Sequence, residues 1–212
     1  MELTYLPNIL STLSALAPLI LGALVWGRTE REIKIFIGFL VFGFVIDLLG
    51  WLNAFLQPMG SGFLKLRYFY WLVEPLFLIW FIRRYSGNRL IRNISAWLYP
   101  VFGISWLVST IDITYLPIYK TATGIFILFL SAFLLLEMVE NKQGERYPLA
   151  FWLVLGLFFY SFCTFFIMGL INSQAGLKIW WLQNAINIAT NMVYGLGFWM
   201  ARASGSEFGR VG

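Results

Sequence analysis

A chain of 212 residues that is 60% hydrophobic and only 12% charged is not an ordinary soluble domain, in which about a quarter of the residues carry charge. Its mean hydropathy of +0.77 and its succession of long apolar runs leave one class, an all-α polytopic membrane protein. The net charge of +5 sits in short loops, where it reads as a topology signal and not as a nucleic-acid surface.

Seven transmembrane helices are expected, at about 6–26, 34–56, 67–83, 94–111, 118–139, 149–172 and 179–201. Each is near the length that crosses about 30 Å of hydrocarbon at 1.5 Å per residue. The first run lacks a basic leader and a clear cleavage site, so it reads as a span and not as a signal peptide. Residues 1–204 form a single seven-helix transmembrane domain in this reading, with no room for a separate soluble domain. Residues 205–212, Gly205-Ser-Glu-Phe-Gly-Arg-Val-Gly212, read as a vector-derived tail.

The spans carry distinct polar signatures. In the first, Ser11/Ala15 and Ser14, Pro18 and Gly22 make small-residue stripes that let a neighbouring helix approach. In the second, Gly43, Asp47, Gly50 and Ala54 share a face, which is expected to bring a partner backbone close to the Asp47 carboxylate. The third is Arg67-Tyr-Phe-Tyr-Trp-Leu-Val-Glu-Pro75 and onward. Pro75 has no N–H, so the carbonyl of Trp71 loses its helical partner. Pro100 is expected to interrupt the fourth span. Glu137 ends the fifth as an interfacial group near Arg84 or Lys142. Gly156, Tyr160, Cys163 and Thr164 give the sixth a mildly polar face, and Asn184, Asn187 and Asn191 mark the seventh.

Loop charges set the orientation. One side carries 11 lysines and arginines, including Arg28, Arg31, Lys34, Arg83, Arg84, Arg89, Arg92, Lys142 and Arg146, against 4 on the other, namely Lys65, Arg67, Lys120 and Lys178. The positive-inside rule then places the N-terminus outside and the C-terminus in the cytoplasm. The expected location is a bacterial inner membrane. The tryptophans fall toward the two ends of the spans, as an interfacial belt does.

Helical rise places Asp47 about 20 Å above the basic end, Glu74 about 10 Å below the opposite end, and the three asparagines about 8 to 18 Å down. Asn184, Asn187 and Asn191 follow i, i+3, i+7, with Tyr194 continuing the stripe, as do Arg67, Tyr70 and Glu74. A mid-helix aspartate costs about +2.5 to +3.5 kcal/mol on insertion, so both carboxylates are expected to face the bundle interior. No lysine or arginine is expected at their depth as a counter-ion. The candidate ligand-binding set is Glu74, Asp47, Tyr70, Asn184, Asn187, Asn191 and Tyr160. Taken alone, the asparagines read as interhelical hydrogen-bond glue.

The chain has no histidine and one cysteine, Cys163. A histidine-ligated haem, a histidine zinc site and a Ser-His or Cys-His pair are therefore excluded, and no disulfide can form within the chain. No cofactor, metal or catalytic residue is expected.

A short internal repeat links Gly62-Phe-Leu-Lys-Leu66, before the third span, to Ala175-Gly-Leu-Lys-Ile179, before the seventh. At that offset of 113, Glu74 falls on Asn187 and Asp47 on Tyr160. Spans 1–3 and 5–7 would then be parallel halves joined by span 4, a 3+1+3 pseudo-repeat.

Tyr70-x-x-x-Glu74 and Trp181-x-x-Asn184-x-x-Asn187-x-x-x-Asn191 together resemble a family of small bacterial seven-span proteins, mostly from Bacteroidota, to which no activity is assigned. The resemblance implies the architecture and a role for Glu74, without supplying chemistry. Microbial rhodopsins are excluded, because the seventh span holds Asn187, Thr190 and Asn191 and no lysine. SWEET-type sugar transporters share the arrangement, yet their Pro-Gln motif is missing here, so that likeness stops at the fold.

Three functions compete at this point. A receptor-like or sensory protein would take a small ligand or ion from outside, and its Arg83–Arg92 loop would meet a cytoplasmic or membrane partner or anionic lipid. A small transporter, proton-coupled through Asp47 and Glu74, would alternate its access. An accessory subunit would use its polar residues only to lock helices. An intramembrane hydrolase is disfavoured, since neither nucleophile nor metal cluster is evident.

Overall fold

The computed structural model describes residues 6–55, 61–141, 147–171 and 180–203, and every described segment of length is helical. The first rod is broken. Pro18 lacks the N–H that would bond the Ser14 carbonyl, and α1 (Leu6–Ser14) gives way to α2 (Leu16–Val25) at that point. Then follow α3 (Arg31–Phe55), α4 (Ser61–Tyr85), α5 (Arg89–Ile111), α6 (Leu116–Glu140), α7 (Pro148–Ile171) and α8 (Trp180–Ala203). Lys142, Arg146, Lys178 and the 205–212 tail lie outside the described residues.

Local chemistry marks the helix starts. The Asn88 side chain caps α5 by accepting from the Leu90 N–H at 2.8 Å. Pro117 and Pro148 stand in the first turns of α6 and α7, where a missing N–H costs nothing. Between α5 and α6 the Asp112 carboxylate accepts from the Thr114 N–H at 2.9 Å. The hydrogen bonds from Thr114 hold that carboxyl below its ordinary range. Pro100 does not interrupt α5, which runs unbroken from Arg89 to Ile111.

Five stretches are long and apolar enough to cross a membrane: Leu6–Arg28, Arg31–Asn53, Arg89–Ile111, Ile113–Glu140 and Pro148–Ile167. The remaining two long helices, α4 and α8, fall short because of what they carry. α4 holds Lys65, Arg67, Glu74, Arg83 and Arg84, and α8 holds Gln183, Asn184, Asn187 and Asn191.

The helices close into a ring. The α1/α2 rod packs against α3 and α8, α3 against α4, α4 against α6, α6 against α7, and α7 against α8. α5 lies outside that ring, against α4 and α6. The ring is filled at one end and hollow at the other. Toward the basic end, Phe36, Phe81, Leu134, Met138, Leu153 and Phe198 are fully buried. Phe36 meets Phe81 at 4.8 Å and Tyr194 at 5.5 Å between ring centroids, and Phe39 stacks on Phe77 at 4.2 Å. These rings floor the hollow above them.

Polar groups tie the basic end together. Glu137 is buried and accepts from the Ser86 hydroxyl at 2.7 Å and the Gly87 N–H at 2.6 Å. It thus pins the α4–α5 turn onto α6. Of the two partners expected for Glu137, Arg84 pairs with Glu32 of α3 at 2.7 Å, and Lys142 lies outside the described residues. The small-residue stripes also find their partners. Gly22 lies against Ile37, and Gly43 and Gly50 face Tyr70 and Phe63 of α4. The α3 stripe therefore receives aromatic side chains, not the partner backbone expected from the sequence.

Candidate functional site

At the hollow end, all six rods of the ring contribute to one open cavity of about 280 Å³. α3 supplies Gly43 and Asp47, α4 supplies Tyr70, Trp71 and Glu74, and α6 supplies Lys120. Tyr160 comes from α7, Asn187, Thr190, Asn191 and Tyr194 from α8, and Ser11 from α1. Six of the seven candidate residues, Asp47, Tyr70, Glu74, Tyr160, Asn187 and Asn191, thus line a single space.

Helical geometry explains the set. At about 100° per residue, Asn187, Thr190, Asn191 and Tyr194 span one side of α8. Close packing below them needs Gly156, since a Cβ there would overlap the Tyr194 ring. Asn187 also accepts from Gln183 at 3.3 Å along its own helix. Asn191 donates to the Ser14 hydroxyl at 2.8 Å and so ties α8 to the end of α1.

Asn184 is the exception. Its amide donates to the Asn8 side-chain oxygen at 2.5 Å, and it lies outside the cavity lining. There it acts as interhelical glue. Asp47 also differs from expectation. It lines the cavity but is exposed, so it stands at the rim where the cavity reaches the surface.

The main correction concerns Lys120. It falls inside the expected 118–139 span but counted there as a loop charge, and no cation was expected at the depth of the carboxylates. Lys120 lies one turn inside α6 and lines the cavity with Glu74. Its ammonium stands 3.9 Å from the centroid of the Trp71 indole, and the Arg67 guanidinium lies 5.1 Å from the same ring. The available signal was Pro117. A proline in a first turn fixes the helix start and so puts Lys120 inside the helix.

A second, smaller cavity of about 140 Å³ lies between α4, α6 and α7. Trp71, Glu74, Leu78, Lys120 and Tyr160 line both cavities and form the partition between them. Among the described residues, neither the Glu74 carboxylate nor the Lys120 ammonium makes a hydrogen bond or an ion pair. Lys120 attracts the Glu74 charge and Asp47 repels it. Among the described residues, the buried Thr190 hydroxyl in the wall of the larger cavity has no hydrogen-bond partner either. Buried polar groups are seldom left so.

Among the described residues, no three histidine, cysteine, aspartate or glutamate side chains converge as metal ligands do. The cavity offers two carboxylates, one ammonium, amides and phenols: a set suited to holding a polar solute by charge and hydrogen bonds. Comparison with protein families, with curated proteins and with solved structures gives no match, so the chemistry is argued from these residues alone.

Proposed function

We propose that the chain is a seven-span bacterial inner-membrane protein, N-terminus outside and C-terminus cytoplasmic, that binds a small polar ligand or ion in the Asp47–Glu74–Asn187 cavity in a receptor-like or sensory role. One observation carries this reading: residues distant in sequence, chosen for their polarity, line one cavity above an aromatic floor. An ionisable group in a span is a functional-site hypothesis by default. Here Glu74 borders that cavity without a hydrogen-bond or ion-pair partner among the described residues.

The basic end supplies the second half of the reading. Trp80, Arg83, Arg84, Ser86, Arg92 and Tyr99 line a crevice of about 290 Å³ between α4 and α5. Guanidinium groups beside indole and phenol suit an anionic partner at headgroup depth. A ligand-dependent signal would leave through this surface.

Transport is the second reading, and two short sequence similarities at one offset favour it. Leu40-Val41-Phe42-Gly43 and Leu153-Val154-Leu155-Gly156 stand 113 positions apart, the same offset as Gly62–Leu66 and Ala175–Ile179. Both glycines receive a tyrosine of the following helix, Tyr70 on Gly43 and Tyr194 on Gly156, although at that offset Tyr70 falls on Gln183 and not on Tyr194. Under a 3+1+3 arrangement, Glu74 and Asn187 occupy equivalent positions on one cavity, as do Asp47 and Tyr160.

Binding is tested by thermal stabilisation of the purified protein across a metabolite library. The expected result is at least one polar solute that raises the melting temperature of the wild type but not of Glu74→Gln. A library without any such solute would remove the binding reading. Flux into liposomes, lost in Glu74→Gln and Asp47→Asn, separates transport from reception.

A further inference from the structure

We propose that the cavity takes a small zwitterion, with an ammonium and a carboxylate on one compact molecule as in an α-amino acid, held between the Glu74 carboxylate and the Lys120 ammonium. The proposal rests on the binding reading above and names its ligand class.

Charge complementarity is the main argument. Glu74 and Lys120 share the partition between two cavities, and they are not in ion-pair contact. Each feels the other's charge without touching it, and charges left without direct contact in a poorly solvated place are costly. A simple cation would satisfy Glu74 but stand beside Lys120 as a like charge. A simple anion would satisfy Lys120 and meet both carboxylates. A molecule with one charge of each sign compensates both walls at once and carries no net charge into the membrane.

The other charges support this division. The cation whose field reaches Asp47 is Arg67, so Asp47 and Arg67 balance each other nearer the rim. Lys120 likewise acts on Glu74, with Asp47 acting more weakly on Glu74 and Arg67 on Lys120, so the four charges sum to zero. Trp71 keeps Glu74 and Lys120 apart: Lys120 stands over its indole face, where a cation is held by the ring and not drawn across to Glu74.

Size and hydrogen bonding narrow the class. About 280 Å³ lies at the lower edge of ligand cavities, which run from about 300 to 1,000 Å³, so the solute is small. The Thr190 hydroxyl, without a partner among the described residues, remains to read a polar side chain.

The test uses the purified full chain in detergent and follows melting temperature against the twenty common L-amino acids. For the strongest responder, the decarboxylated amine and the deaminated acid are titrated alongside it. The expected result is stabilisation by the amino acid, with the amine and the acid each at least about tenfold weaker, as loss of one charge-assisted contact implies. Glu74→Gln and Lys120→Gln should each remove the response, and Lys120→Arg should restore part of it. The wild-type comparison needs no variant, so a misfolded mutant leaves the test intact.

Equal potency of the amine or the acid would overturn the proposal, as would an undiminished response in Lys120→Gln. A Glu74-dependent response confined to uncharged solutes or simple ions would overturn the zwitterion and leave the binding reading standing. Silence toward every polar solute would remove both.

Discussion

The phenolic hydroxyl of Tyr119 donates to the main-chain carbonyl of Trp71 at 2.9 Å, the carbonyl that Pro75 deprives of its helical partner. The proline interrupts the hydrogen-bond ladder of α4, and α6 repairs it from outside. The same bond fixes α6 beside Glu74, with Lys120 as the next residue along. Replacing Tyr119 by phenylalanine should lower stability by about 1 kcal/mol, since the carbonyl is left without a donor. In Pro75→Ala the backbone N–H returns and satisfies that carbonyl. The double variant Pro75→Ala/Tyr119→Phe should therefore lose less than the sum of its parts, measured as a double-mutant cycle of unfolding in mixed micelles.

Gly156 answers to a different constraint. Its face lies directly under the ring of Tyr194, so a larger side chain must push α7 away from α8. Gly156→Val should destabilise by about 1–3 kcal/mol. Gly103 in α5 has no neighbour within 4 Å of an added Cβ. Gly103→Ala should be neutral or stabilising by about 0.5–1 kcal/mol, through lower backbone entropy in the unfolded chain. Melting temperatures of the two variants should move in opposite directions.

At the basic end, Glu137 holds the 86–88 turn through two hydrogen bonds. Glu137→Leu strands the Gly87 N–H and the Ser86 hydroxyl and should cost about 1–3 kcal/mol. Glu137→Gln keeps one carbonyl acceptor and should cost less. Urea unfolding of the two variants checks the order.

Much of this organisation is legible in the sequence, because a bilayer admits few solutions. Long apolar runs must be helices, and a carboxylate among them must find an interior or a cavity. That is why Glu74, Tyr70, Tyr160, Asn187 and Asn191 come together as expected. Lys120 was illegible for the same reason that makes topology rules useful. A lysine near a span end counts as a loop charge even inside the expected 118–139 span, and only the packing of α6 against α4 brings it to the cavity beside Glu74. Asn184 differs by its neighbour and not by its angle. It shares the stripe of Asn187 and Asn191 but sits a turn nearer the start of α8, where its amide is taken by Asn8 at the start of α1. The break at Ser14 follows from Pro18, yet the donation from Asn191 to Ser14 depends on a helix pairing that no local pattern contains.

The two asparagines should separate in function. Asn184→Leu removes an interhelical bond worth about 0.6 kcal/mol and should lower stability slightly without changing any ligand response. Asn187→Leu alters the cavity wall and should weaken that response, with little further loss of stability. Ligand titrations of the two variants, each normalised to its own unliganded melting temperature, read the difference.

The most direct test of the central claim is solvent access to the cavity, read by cysteine labelling in a Cys163→Ala background. Asn187→Cys, in the cavity wall, should react readily with a membrane-impermeant maleimide added from the side opposite the basic loops. Val154→Cys, fully buried in the packed half, should stay unmodified from either side. An Asn187→Cys thiol as inert as Val154→Cys, or one that labels only from the basic side, would contradict an open polar cavity around Glu74.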